Sequence, residues 1–450
     1  MERIPDRPVA QDELRAAAEQ VLIDNNRNGY TIPSARLYPF QWNWDSGFIA
    51  LGWLHIDVQK AMDEVRSLFK GQWGNGLLPH IVFHHVDPNY FPGPAIWGTD
   101  DVPEKPAGLP TSGIVQPPVF GFVLQRMDDF LQTKPAGWET FLRELFPKIW
   151  AFHLYLYRHR DPGGEGLVYI HHNWEAGTDN SPTWDEILDN IDASSVRDVS
   201  ALRRDTKRVD ASQRPTNENY KRYIYLVDLF IRHRYRDEAI VQECPFLVQD
   251  VLFNALLVKS NEGLIALGRG LGLDTSEIQS YNKKTIERIN NKLWNEAQGF
   301  YFDYDLKNGR SIPIKISSGF MPLFAGICSP EQADKLGWHL AHSFVQNKQW
   351  KLVPSTAADE PSFNAVKYWR GPVWINLNWM LYHGLLRYGM QELAQKVKED
   401  SIALLRSYGL WEYFDARPPE EGGEQRGLGG DLFSWSAALY LDFVLNSAAL

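Results

Sequence analysis

Apolar residues recur at helical spacing from one end of the chain to the other. The pattern predicts helices near 11–24, 45–55, 58–71, 118–132, 137–158, 218–235, 246–271, 275–294, 330–346, 373–388, 390–407 and 434–448. Two of these carry start signals: Ser329 before Pro330, and Asp274 with Glu277 three residues on. Alternating patterns are few and short, 300–304 being one, so a parallel sheet of the βαβ kind is not expected. Between the helices lie two long irregular stretches, 85–118 with eight prolines and 159–217 rich in Gly, Asp, Asn and Ser. Their embedded Tyr90, Phe91, Trp97, Tyr169, Trp174 and Trp184 predict ordered lids rather than linkers. No self-similar period of 20 to 50 residues appears, and no clean boundary divides the chain. The expectation is one all-α domain over residues 1–450, with these lids as insertions.

Composition sharpens that picture in three ways. Aromatic residues make up 13% of the chain, with 17 tryptophans, many outside the helical runs. A net charge of -10 without a Lys/Arg-rich block argues against nucleic-acid or anionic-membrane partners, so an anionic small substrate needs its own local cation. Cys244 and Cys328 are too few for a disulfide framework or a thiolate zinc site, and buried thiols are expected. With no apolar leader pattern and no stretch approaching the roughly 20 apolar residues of a membrane span, a soluble, cytoplasmic protein is expected.

The candidate chemistry sits in five segments where aromatics meet polar groups: 38–46, 72–80, 173–185, 368–374 and 410–415. Buried polar groups are costly unless paired, so packing alone does not explain them. Tryptophan faces beside carboxyl groups suit sugar binding and glycosidic cleavage, which requires one protonated and one ionised carboxyl. The candidates are Asp45, Glu175, Asp179, Asp185, Glu412 and Asp415. Asp179, between Trp174 and Trp184, suits the proton donor, and Glu412 beside Tyr413 suits the base. Arg214, followed by Tyr220 and Tyr223, reads either as a carboxylate fork or as a surface salt bridge at a helix entry. His80, His84, His85, His171 and His172 complete no recognised metal spacing, so no metal and no cofactor are expected. Nucleotide-binding loops and the serine-hydrolase elbow are absent from the sequence.

Taken in order, the segments 42–46, 74–80, 111–118, 174–185, 368–374 and 411–415 resemble glycoside hydrolase family 63 over roughly residues 30 to 442. The resemblance implies an (α/α)6 barrel, inversion at the anomeric carbon and kinship with the trehalases. It implies Asp179 as general acid, Glu412 as general base and Asp45 as a grip on sugar hydroxyls. Tyr38, Trp42, Trp44, His80, Trp174, Trp369 and Trp374 match the family's sugar pocket.

Within the family the chain looks most like the short bacterial hydrolases of glucosylglycerate and mannosylglycerate, in which Tyr90, Gln116, Arg214 and Tyr220 would hold the glycerate. Residues 429–435 depart from some members of that group, which puts a difference in the glycerate pocket among the expectations. The implied substrate is an anionic glycoside, with 2-O-α-glucosyl-D-glycerate first and its mannosyl analogue second. The alternatives are an α-glucosidase for neutral substrates such as glucosylglycerol, or a sugar epimerase, isomerase or binder on an α/α barrel. The oligomeric state is left open.

Overall fold

Among the described residues thirteen helices build or flank the barrel, numbered in chain order, with other short ones such as Asp237–Glu243 in the connections. The thirteen begin with α1 Gln11–Asn25, α2 Asn43–Trp53, α3 Val58–Phe69, α4 Phe120–Phe130, α5 Trp138–His159, α6 Asn217–Arg232 and α7 Val251–Leu271. The remainder are α8 Ser276–Arg288, α9 Met321–Ala325, α10 Pro330–His342, α11 Ile375–Arg387, α12 Gln391–Tyr408 and α13 Ser434–Leu445. The computed structural model describes residues 9–344, 351–418, 420–421 and 426–446. The predicted helix ends at 345–346 and 447–448 lie outside them.

Helices α2, α4, α7, α9, α11 and α13 pack side by side in that order, and α13 returns to α2, closing an inner ring. Around it, α1 lies on α13, α3 on α2, α5 on α4 and α7, α8 on α7 and α12 on α11. Helix α10 backs the strand Phe300–Tyr301. This is the (α/α)6 barrel that the resemblance implied. Every residue of α2 is buried, as is the run Ser434–Phe443 of α13, because an inner helix is covered on both faces. The outer helices keep a polar face. Buried apolar side chains from Leu14 to Phe443 form one continuous cluster.

The structure corrects the predicted elements in several places. Helix α6 forms where predicted but stands outside the inner ring, whose fourth helix is the five-residue α9, too short for its periodicity to register. The run 246–271 begins as a strand, Val248–Gln249, and turns helical only after Asp250 caps Phe253. Asp274 is not the cap of α8; it accepts from Ser276 N, while Thr275 holds the N-cap position without a side-chain capping bond. The Ser329 signal does form a reciprocal capping box with Gln332.

Contrary to the sequence expectation, α7 is long and apolar enough to cross a membrane by length and composition. Its apolar window, however, is 83% buried as the barrel's longest inner helix. Both cysteines are free and buried.

The strands among the described residues are short and antiparallel, in three pairs and one three-stranded sheet. Gln41–Trp42 pairs with Ile81–Val82 beside the first lid, and Tyr413–Phe414 pairs with Gly427–Leu428. The lids are irregular chain punctuated by short turns such as Pro94–Trp97 and Asp205–Arg208. They are packed, since Trp97 and Trp184 are fully buried.

Below the cavity one carboxylate ties the inner ring together. Asp442 of α13 accepts from Arg126 of α4 at 3.1 Å and from the Trp379 indole of α11 at 2.8 Å, and lies 3.2 Å from His55, just after α2. Burial opposes its ionisation, but the His55 bond and the Arg126 charge hold its carboxyl well below the usual range. Asp442→Ala leaves Arg126 without that anion in the core and is expected to cost about 3–5 kcal/mol in denaturant unfolding. Because the folded-state value is depressed, the parent's share of this stability should be intact above about pH 4 and fade as pH falls further.

Candidate active site

The site lies where the first turns of α2 and α13 meet the loops before α4 and α11. Trp42 and Asn43 start α2, which sets Trp44 and Asp45 on its first turn. The predicted loop 38–46 is therefore helical from Asn43 onward. The loop 173–185 crosses this end as two 3-10 turns, Asn173–Ala176 and Pro182–Trp184, with Asp179 between them. Asn180 anchors it by accepting from Trp369 N at 2.9 Å. Gly177, at φ +74, lets the loop rest on Trp44; a Cβ there would stand 2.6 Å from the ring. Strand Tyr413–Phe414 holds Glu412 beside Gly429, where a Cβ would meet the carboxylate at 2.3 Å.

Two adjoining chambers open here. The barrel chamber is lined by Trp44, Asp45, Trp369, Glu412, Phe433 and Trp435. The lid chamber is lined by His80, Tyr90, Phe91, Trp174, Arg214 and Tyr220, with Asp87, Arg204, Asp205 and Arg208 toward the lids. Tyr38, Trp42, Gln116, Asp179 and Tyr368 line both. Among the described residues Asp179 is the one carboxyl group shared by the two.

The six candidate carboxylates separate by their partners. Glu175 is clamped by Arg160 at 3.0 and 3.1 Å; burial works against its ionisation, but Arg160 and His171 hold it well below the usual range. Asp185 is gripped through both oxygens by Arg370, and Asp415 is tied to Arg417 and Arg426. These three hold the loops in place. Asp45, Asp179 and Glu412 are left on the cavity.

A hydrogen-bonded path links Asp179 and Glu412. Tyr368 Oη donates to Asp179 Oδ2 at 3.4 Å, stands 3.3 Å from Tyr38 Oη, and Tyr38 Oη donates to Glu412 Oε1 at 2.9 Å. The second Glu412 oxygen accepts from Gly430 N at 2.9 Å. Tyr368 holds its phenol there from a left-handed backbone, φ 44, a strained setting for a non-glycine residue.

Arg214 is 4% exposed, which overturns the reading of a surface salt bridge. It donates to Tyr38 Oη at 3.0 Å and to Asp205 Oδ2 at 3.3 Å, and its Nη1 lies 3.9 Å from Glu412 Oε2. Its guanidinium carbon sits 4.2 Å from the centre of the Tyr368 ring.

Burial pushes Asp179 up to about 7; Arg214 opposes the rise and Glu412 adds to it. Glu412 is also raised by burial, against Arg214, the Gly430 N–H and Tyr38, all of which favour its anion. Asp45 is driven well above the carboxylate range by burial and then by Glu412. Asp179 and Glu412 thus face one cavity in unequal surroundings, with Arg214, the Gly430 N–H and Tyr38 all favouring the Glu412 anion.

Other sequence-predicted residues fall elsewhere than expected. His80 and Trp174 line the lid chamber, not the barrel chamber. Trp374 lines neither; it stacks behind Trp369 at 3.5 Å between ring centres and against Tyr413. Trp184 packs on Phe246 and donates to Thr178 O, so only Trp174 flanks the cavity near Asp179. Residues 429–435 border the barrel chamber beside Glu412, not the lid chamber, and Asp431 turns out to Arg36. The histidines are engaged locally, His80 with Ser112, His84 with Gln41, and His172 with Tyr223 O. No group of three His, Cys, Asp or Glu that could hold a metal occurs among the described residues.

Sequence reasoning missed Asp205, Arg203 and the bridging role of Tyr368. Arg203 grips Asp205 at 2.7 and 3.1 Å and lies 3.9 Å over the Tyr220 ring. The run 203–208 reads as solvated charge, so nothing in its pattern marked a buried pair.

Buried carboxyl groups beside tryptophan faces at the mouth of an (α/α)6 barrel's inner ring suit a glycoside hydrolase. Residues 38–436 match the model of the mannosylglycerate hydrolase MGH1-like glycoside hydrolase domain, and the chain belongs to that family. It is 42% identical to a mannosylglycerate hydrolase of Rubrobacter radiotolerans over 97% of both chains. It is 29% identical to a glucosylglycerate hydrolase of Mycolicibacterium hassiacum over 96% of this chain and 98% of that one. The crystal structure of a family 63 mannosylglycerate hydrolase from Thermus thermophilus, in complex with Tris and D-glycerate, superposes with a TM-score of 0.89. That structure shares 41% identity and covers 96% of this chain and 100% of its own.

Gly177→Ala should push the Asp179 loop off Trp44 and strain its backbone, at a cost of about 1–3 kcal/mol. Thermal melts of parent and variant read this directly; superimposable melts would show that the loop yields freely.

Proposed function

We propose that this enzyme hydrolyses 2-O-α-mannosyl-D-glycerate, and the glucosyl analogue as a second substrate, with inversion at the anomeric carbon. One observation carries the reading: Asp179 alone among the carboxyl groups faces both chambers, Glu412 only the barrel chamber and Arg214 only the lid chamber. A substrate with its sugar in the barrel chamber and its carboxylate toward Arg214 brings the bridging oxygen to Asp179. Asp179 protonates that oxygen as the C–O bond breaks. Glu412 takes a proton from a water that attacks the anomeric carbon from the opposite side, giving the inverted sugar and D-glycerate. Trp44, Trp369 and Trp435 offer the sugar apolar faces, and Asp45 its hydroxyl-binding oxygens. Tyr90, Gln116 and Tyr220 complete the glycerate side. The order of substrates moves from glucosyl to mannosyl because the mannosylglycerate hydrolases are the nearer of the relatives described. Family membership supports hydrolysis over the epimerase, isomerase and binder alternatives.

Asp179→Asn and Glu412→Gln should each lower turnover by roughly 10²- to 10⁴-fold while leaving the fold intact. A proton NMR time course on α-mannosylglycerate should show β-mannose before mutarotation; α-mannose first would overturn the inverting assignment. Asp179 works in its protonated form, so activity should decline as pH rises through about 7, and Asp179→Asn should lack that alkaline limb.

Arg214→Ala should raise KM for the glycerate glycoside well beyond its effect on a neutral glycosylglycerol. It should also lower kcat on both, because Arg214 touches Tyr38 and neighbours Glu412. Equal changes in KM on the two substrates would confine Arg214 to supporting the base.

A further inference from the structure

The lid chamber carries more positive charge than the Arg214 fork accounts for. Arg204 and Arg208 both line it, at the two ends of the short turn Asp205–Arg208 in the second lid. Asp205 stands between them in sequence but does not neutralise them. Its oxygens are taken by Arg203 through both donors, by Arg214 at 3.3 Å and by Tyr220 at 3.5 Å.

Among the described residues neither Arg204 nor Arg208 makes an ion pair with a carboxylate. The recorded polar contact of Arg204 is a bond of 3.5 Å to Ala201 O. The other carboxyl groups of this chamber are Asp87, whose Oδ1 accepts from Asn89 N, and Asp179, which burial pushes up to about 7. Arg208 is solvent-exposed and Arg204 half-buried, whereas Arg214 is buried behind them.

Two arginines without carboxylate partners, ahead of a buried one, form a graded cationic path on a protein of net charge -10. Such a field concentrates an anionic ligand at a cleft whose protein surroundings otherwise repel it, an effect of about 10- to 10³-fold on association in steered systems. We propose that Arg204 and Arg208 capture the carboxylate of the incoming substrate at the chamber mouth and pass it to Arg214. The second lid then selects for anionic over neutral glycosides before the sugar reaches Asp179. This inference rests on the glycosylglycerate reading of the site.

The test compares the parent with Arg204→Gln/Arg208→Gln, using α-mannosylglycerate and neutral α-mannosylglycerol across a salt series. The double variant is expected to lose about tenfold in kcat/KM on the anionic substrate at low salt, a difference that closes as salt screens the parent. On the neutral substrate the two enzymes should agree. Arg208→Glu should deepen the loss on the anionic substrate alone. Equal losses on both substrates, or a parent and double variant with the same salt dependence, would overturn the capture role. A parent that does not cleave α-mannosylglycerate would instead overturn the substrate reading on which the inference stands.

Discussion

The buried guanidinium of Arg214 is the interaction on which the site depends. Two carboxyl groups facing one water-poor cavity tend to rise together, because burial disfavours both anions and each repels the other. Arg214 breaks that symmetry by lying 3.9 Å from Glu412 while donating to Tyr38, which in turn donates to the same carboxylate. Asp179 feels the Arg214 charge too, but its one side-chain hydrogen bond is the 3.4 Å phenol contact and burial still pushes it up to about 7. Asp179 and Arg214 both come from the second lid, 159–217, whereas Glu412 comes from a segment some 200 residues further on. The second lid delivers Arg214, so that lid shapes the surroundings of both carboxyl groups.

Asp205 extends the same logic outward. A buried arginine needs an anion, and a lone Asp205 beside Arg214 would cancel the charge available to a ligand. Arg203 prevents this by engaging Asp205 through both oxygens and by stacking on Tyr220. The result is a cluster in which Arg214 is oriented yet not fully spent, since its Nη1 has no hydrogen-bond partner among the described residues. The barrel supplies the rigidity behind this. Inner helices start at the cavity and are tied together below it by Asp442, so the Trp44 and Trp435 turns are fixed relative to one another.

Much of this was legible from the chain alone. Helical spacing located all but one of the ring helices, because a two-sided apolar helix still has a length and ends that read clearly. The acid and base segments stood out, since Trp, Gly and Pro beside carboxylates do not make a regular core element. The same reading singled out Asp179 and Glu412 but could not see that arginines tie up Glu175, Asp185 and Asp415, since Arg370, for one, lies 185 residues from Asp185. It also placed Trp374 in the pocket wall, where in fact it backs Trp369.

The sequence by itself determined the class of fold and the chemical vocabulary of the site, because periodicity and turn residues are local properties of the chain. Tertiary structure alone decided which helix closes the ring, which carboxyl groups are clamped in the loops by arginine, and which one faces both chambers. Those outcomes are set by desolvation and by partners brought together across the fold, and neither is written in the spacing of any single segment.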